Sequence, residues 1–177
     1  MRLCLVRHGP PAHTDCCYGW HDIPLAESPQ STAESVARRL PAWALQPDTP
    51  LLTSPSVRCA DLARALSKGR SVQPDARLRE VHFGAWEGQR WDEIPRAALD
   101  SWAKDPFGFS FPGGESVPDF IARCQSMLAE LPPQALLVTH AGVIRAFMHL
   151  HHGVPLAEAY ARPIPYAAVQ MLVTDTD

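Results

Sequence analysis

The chain has 177 residues, 46% of them hydrophobic and 20% charged, with a formal net charge of −3. That length suits one domain, spanning residues 1–177, with a full-sized core. The charge gives no electrostatic reason to expect a nucleic-acid partner, and no apolar run is long enough to span a bilayer. The sequence opens on a strand pattern rather than a signal-peptide core, so a cytoplasmic protein without membrane attachment, monomeric or homodimeric, is expected. The five cysteines, Cys4, Cys16, Cys17, Cys59 and Cys124, form no Cys-x-x-Cys pair. Neither a disulfide framework nor a zinc knuckle is therefore suggested.

Residues 3–6 are an apolar run ending in Arg7-His8-Gly9, after which Pro10-Pro11 break the chain. A buried strand thus delivers a cation and an imidazole to the end of a sheet, and Gly9 permits a close backbone turn. Residues 9–28 read as a long loop, the kind that in compact domains is usually functional. A helix is predicted over 30–43, disturbed near its end by Pro41. Leu51-Leu52-Thr53 reads as a short strand. Ser54-Pro55 then reads as an N-cap followed by proline at the first helical position, opening a helix to about Ser67. A short strand near 71–73 follows.

Residues 77–90 are turn-rich and aromatic, and a short helix is predicted over 91–102. Ser116 and Asp119 have capping-box spacing before a helix whose apolar residues keep the helical period. Residues 135–139 form a buried strand ending at His140-Ala141-Gly142. A helix follows and stops at Gly153, and a last strand is predicted over 166–173. Strands alternating with helices argue an α/β fold with a largely parallel sheet covered on both faces.

Two strand ends now match: Arg7-His8-Gly9 and His140-Ala141-Gly142. In a parallel sheet both face the same side, and Arg58 lies one turn into the helix that follows another strand end. Arg7, His8, Arg58 and His140 in one cleft would repel one another without an anion, and a phosphate dianion suits arginine forks and helix N-termini. Glu80 sits among Val81, Phe83 and Trp86, surroundings that raise a carboxyl pKa and suit a general acid. From spacing alone an exposed loop carboxylate is the plainer reading of Glu80, and Glu87 shares the ambiguity. Other phosphate chemistries are poorly served. No Gly-x-x-x-x-Gly-Lys-Ser/Thr loop occurs, and no cysteine is followed six residues on by arginine. His149, His151 and His152 resemble a metal cluster but lie at a helix end, where cations are favourable anyway. No metal site is expected.

With these residues assembled, the chain resembles the histidine phosphatase superfamily, also called phosphoglycerate mutase-like. The resemblance runs over residues 3–146. It rests on Leu-Val-Arg-His-Gly at 5–9, Ser-Pro-Ser-Val-Arg-Cys at 54–59, Leu-Arg-Glu-Val-His-Phe-Gly-Ala-Trp-Glu-Gly at 78–88, Pro-Gly-Gly-Glu-Ser at 112–116 and Val-Thr-His-Ala-Gly-Val-Ile-Arg at 138–145. It implies a three-layer α/β/α sandwich on a mainly parallel sheet and a phosphomonoesterase acting on a small-molecule phosphate without metal or organic cofactor. His8 would be the phosphorylated nucleophile, Glu80 the proton donor, and Arg7, Arg58 and His140 the rest of the phosphate pocket. Gly9, Thr14, Tyr18, Gly19, Ala141 and Gly142 would lie beside the phosphate or substrate.

Residues 17–25, Cys-Tyr-Gly-Trp-His-Asp-Ile-Pro-Leu, are similar to a stretch of α-ribazole phosphatase-like members, which remove the 5′-phosphate of α-ribazole 5′-phosphate in assembly of the cobalamin lower ligand. Two departures bear on substrate more than on chemistry. The usual Arg-His-Gly-Glu-Thr is Arg-His-Gly-Pro-Pro here, and Thr14 stands where many members have asparagine. A phosphoglycerate mutase, a protein-phosphohistidine phosphatase and a silent phosphate-binding module of the same fold are the alternatives.

Overall fold

The computed structural model describes residues 1–173 of the chain. Its five strands are β1 (Arg2–Arg7), β2 (Leu51–Thr53), β3 (Val72–Pro74), β4 (Gln134–Thr139) and β5 (Val169–Val173), in sheet order β3-β2-β4-β1-β5. Only β5 runs antiparallel, against β1. The helices are α1 (Pro29–Ala37), α2 (Val57–Ser67), α3 (Arg96–Lys104), α4 (Val117–Glu130), α5 (Ala141–His152) and α6 (Leu156–Ala161). None is long and apolar enough to cross a membrane.

The period of two along β1 and β4 explains the layering. Leu3, Leu5, Ala135 and Leu137 join one core with residues of α4 and α5, such as Phe120, Met127 and Phe147. Cys4, Val6, Leu136 and Val138 point the other way, into a core with Val36 of α1 and Leu62 and Leu66 of α2. Both faces of the central strands are therefore covered, which is why they read as unbroken apolar runs. The result is the expected three-layer α/β/α sandwich. A third cluster, built on Cys17, Trp86, Ile94, Phe111 and Val117, lies beneath the loops beyond the sheet.

Several boundaries move from the sequence expectation. The helix predicted over 30–43 ends at Ala37, and a 3-10 turn, Ala42–Leu45, follows Pro41. Residue 41 cannot donate the backbone bond that would continue α1. The helix predicted from residue 91 starts at Arg96, directly after Pro95. The short strand lies at 72–74, not 71–73, and the last begins at 169, after Ala167 adopts a left-handed φ of 57°. The six-residue α6 is an addition.

The proposed cap at Ser54 is corrected. Helix α2 opens at Val57, and its first N–H is accepted by Asp22 Oδ1 at 2.8 Å, from a distant loop. Ser116 does cap α4: its Oγ accepts from Asp119 N–H at 3.1 Å and donates to the Asp119 carboxylate at 2.6 Å.

Candidate active site

Strands β1 and β4 are neighbours, with Arg7 in register with Thr139. The next residues, His8 and His140, therefore leave the carboxyl edge of the sheet side by side. The His8 N–H donates to the Thr139 carbonyl at 3.0 Å, and the two imidazole centroids lie 5.2 Å apart, edge to face. Both rings are buried.

His8 Nδ1 lies 2.7 Å from the Gly9 carbonyl. A carbonyl only accepts, so Nδ1 carries the proton and the lone pair is on Nε2, across the ring. Burial, then the Arg58 charge, pushes the His8 pKa down to about 3, with Arg7 adding to the shift and the Gly9 bond opposing it. His8 is thus a neutral imidazole at physiological pH. His140 is also held well below the usual histidine range, by burial first, then by Arg58 and His8. Arg58 Nη2 approaches His140 Nδ1 at 3.4 Å and can only donate, so the His140 proton sits on Nε2 and is donated to Ser54 Oγ at 2.9 Å.

Arg58 is fully buried on the first turn of α2. Its guanidinium donates to the carbonyls of Gly19 at 2.7 Å and His21 at 3.1 Å, and Asp22 Oδ1 lies 3.8 Å away. Arg7 donates to the Ile164 carbonyl and stacks 3.9 Å above the Tyr166 ring, whose hydroxyl bonds Tyr18 at 2.7 Å. The Nε groups of both arginines are buried without a hydrogen-bond partner among the described residues. Two cations with unpaired donors beside two neutral imidazoles make a pocket for an anion.

Glu80 reaches the cleft from the loop between two 3-10 turns, Ala76–Leu78 and Gly84–Trp86. Its Oε2 accepts from the Gly142 N–H at 2.9 Å and its Oε1 from Val81 N–H at 3.1 Å, so the carboxylate sits at the N-terminus of α5. Gly142 is needed for that approach: a Cβ there would stand 2.0 Å from Glu80 Oε1.

The loop that carries Glu80 is tied down from both sides. Arg123 donates to the carbonyls of Arg77, Arg79 and Glu80, and forms a bidentate pair with Glu115 at 2.7 and 2.8 Å. On the other side, Glu87 accepts the N–H groups of Gly19, Trp20, His21 and Phe83 at 2.8–3.0 Å. Glu87, ambiguous in the sequence, is the tie between this loop and the one whose carbonyls hold Arg58.

Arg7, His8, Arg58, Glu80 and His140 line one cleft of about 220 Å³, with Tyr18 and Ala141 on its wall. Three predicted glycines act through their backbones: Gly9 and Gly19 as acceptors for His8 and Arg58, Gly142 as donor to Glu80. Thr14 does not join them; it is exposed on the loop, and its side chain does not line the cleft. Arg145 and Trp91 also line it and were not foreseen. Arg145 was findable, since it lies one helical turn after Ala141. Tyr166 gave no local signal, and Ser54 gave that of a helix cap.

His149, His151 and His152 form no ligand set; His149 Nδ1 donates to the Val154 carbonyl at the end of α5. Among the described residues the grouping with metal-ligand spacing is His13, Asp15 and Cys16, with donor atoms within 4.8 Å of one another. Asp15 is already paired with Arg90, and burial raises the Cys16 thiol pKa, both of which disfavour a cation there.

Residues 3–177 match the family model of the histidine phosphatase superfamily (branch 1). The chain belongs to the histidine phosphatase superfamily. It is 30% identical over 178 residues to a glucosyl-3-phosphoglycerate phosphatase of Mycolicibacterium vanbaalenii, covering 88% of this chain and 76% of that one. It is 29% identical to a 6-phosphofructo-2-kinase/fructose-2,6-bisphosphatase of Caenorhabditis elegans over 92% of its own length, but spans only 36% of that longer protein. Similar solved structures include a phosphoglycerate mutase from Thermus thermophilus, with TM-score 0.75 and 28% identity over 97% of this chain and 92% of that one. Another is a mycobacterial glucosyl-3-phosphoglycerate phosphatase in complex with VO3, with TM-score 0.78 and 27% identity over 97% and 92% of the two chains.

Proposed function

We propose that the protein hydrolyses phosphomonoesters of small molecules in two steps through a phosphohistidine. The observation that carries this reading is the neutral His8, its tautomer set by Gly9, lying with Arg7, Arg58 and Glu80 in one cleft. In the first step His8 Nε2 attacks phosphorus and the bond to the alcohol oxygen breaks. Glu80, entering the step as the carboxylic acid, gives that oxygen its proton and becomes the carboxylate. In the second, Glu80 takes a proton from water, the resulting hydroxide attacks phosphorus, and the phosphorus–nitrogen bond breaks to release inorganic phosphate. Covalent catalysis divides one difficult displacement into two easier ones. Arg7 and Arg58 stabilise the charge on the equatorial oxygens, and His140, bonded to Ser54, sets the Arg58 guanidinium against the pocket. The two arginines supply the positive charge that a metal would otherwise bring.

α-Ribazole 5′-phosphate is the substrate suggested by residues 17–25. In the structure that stretch works as scaffolding: Gly19 and His21 hold Arg58, and Asp22 receives the first N–H of α2. Such a role serves any phosphate ester. The test is phosphate release, with a chelator present, from a panel of α-ribazole 5′-phosphate, glucosyl-3-phosphoglycerate, a phosphoglycerate and p-nitrophenyl phosphate. Turnover that survives EDTA and is inhibited by vanadate is expected. No release from any ester would refute the phosphatase reading. Loss in EDTA restored by a divalent ion would refute the metal-free mechanism.

A further inference from the structure

Next to the catalytic cleft is a second cavity of about 360 Å³, within the range of small-molecule sites. The two share Glu80, Phe83 and Arg145 as walls. The rest of its wall is uncharged and largely aromatic: Trp102 of α3, Phe107 and Phe111 of the loop after it, and Tyr160 of α6 line it, with Val81, Pro106 and Val117 between them. Their rings brace one another, with Phe83 and Phe111 at 4.8 Å, Trp102 and Phe111 at 5.8 Å, and Phe107 and Tyr160 at 5.6 Å between centroids, all edge to face. Of its lining side chains only Glu80 and Arg145 carry charge, and Arg145 already donates through Nε and Nη2 to the Arg162 carbonyl.

In an in-line displacement the alcohol oxygen leaves on the side of phosphorus opposite the nucleophile. With His8 attacking and Glu80 donating the proton, that oxygen lies at Glu80. Glu80 is one of the walls common to both cavities, so whatever is attached to the oxygen extends into the aromatic one.

We propose, on the basis of the phosphatase reading above, that this cavity binds the alcohol portion of the ester and selects a planar aromatic group joined to the phosphate by a short aliphatic arm. A sugar would lose the hydration of its hydroxyls against these walls with few partners in return. A second phosphate would meet one pinned guanidinium and the Glu80 carboxylate. An aromatic ring gains burial and edge-to-face contact with rings already in place.

The test compares kcat/KM for 2-(2-naphthyl)ethyl phosphate with that for ethyl phosphate. Both leaving groups are primary alkoxides, so the ratio reads the cavity rather than the bond broken. The expected ratio is about 10²–10³, from the area a bicyclic ring buries. It should fall at least tenfold in Phe107→Ala and also in Phe107→Leu, which keeps an apolar side chain on the loop. In parallel, binding of 2-(2-naphthyl)ethanol is followed by tryptophan fluorescence, since Trp102 is in the wall. A ratio near one with both esters turned over would overturn the cavity's role and leave the phosphatase reading standing. If neither ester is turned over, the alcohol decides the cavity's role, and the phosphatase reading fails with it only when the panel above also releases no phosphate. Saturable binding weakened by Phe107→Leu supports the aromatic site, and no binding overturns it.

Discussion

Replacing Glu80 by glutamine separates its chemistry from its place in the fold. The carboxylate accepts from Gly142 N–H through one oxygen and from Val81 N–H through the other. Glutamine keeps one acceptor oxygen, which can hold the Gly142 bond. The structural cost is then the weaker Val81 contact, about 1 kcal/mol. The chemical cost differs by substrate. An alkoxide is a poor leaving group and needs its proton in the transition state, whereas nitrophenolate leaves readily without one. General acid catalysis is typically worth about 10²–10⁴-fold, or roughly 3–5 kcal/mol of barrier. Glu80→Gln should therefore slow phosphoryl transfer from an alkyl phosphate by about that factor and from p-nitrophenyl phosphate far less. The assay is rapid-quench measurement of the phosphorylation burst, because Glu80 also serves the water step and steady-state rates would mask the contrast. Equal losses for the two esters would refute the proton-donor role and make Glu80 a positioning group.

Gly142→Ala should reproduce that leaving-group contrast without replacing any side chain of the cleft, because the new Cβ would stand 2.0 Å from Glu80 Oε1 and force the carboxylate aside; equal alkyl and nitrophenyl activity ratios in variant and parent would contradict this. Glu87→Gln should destabilise the fold by about 2–4 kcal/mol in urea titrations, since an amide NH₂ would face two backbone N–H donors now held by a carboxylate oxygen. It should also weaken vanadate binding through the shifted carbonyls around Arg58; an unchanged urea midpoint would count against the tie. Stability should fall in acid: the unfolded chain protonates His8 and His140 as pH drops through about 6.5, while the folded chain keeps His8 neutral down to about 3. Stability is thus full above pH 6.5 and lost progressively towards pH 3, by about 2 kcal/mol from His8 alone at pH 5, and His8→Gln should flatten the profile; an identical pH dependence in the variant would refute it.

The paired histidines were legible because each follows an apolar run, and the parallel pairing of those runs puts their ends together by geometry alone. The amphipathic helix at 117–130 was legible for a similar reason: Val117, Phe120, Cys124 and Met127 repeat with the helical period and are its buried residues. Glu80 was not, because nothing in residues 77–90 has a period. Its position comes from Arg123, Glu115 and Glu87, which lie up to 68 residues away from the carbonyls and N–H groups they bind. Ser54 misled because a serine before a proline has cap chemistry, yet its hydroxyl is engaged by His140, 86 residues on. Thr14 was placed by resemblance, and the loop turns its side chain outward. The aromatic cavity draws on α3, the loop after it and α6, elements that touch only through tertiary packing.

The central claim is that His8 carries the phosphoryl group. Protein mixed with a ³²P-labelled phosphomonoester, quenched within milliseconds in alkali and digested, should yield one labelled peptide containing His8. Its phosphate should be stable to base and labile to acid, and His8→Ala should show neither label nor turnover. Near-normal turnover by His8→Ala, or label on any other residue, would contradict the account.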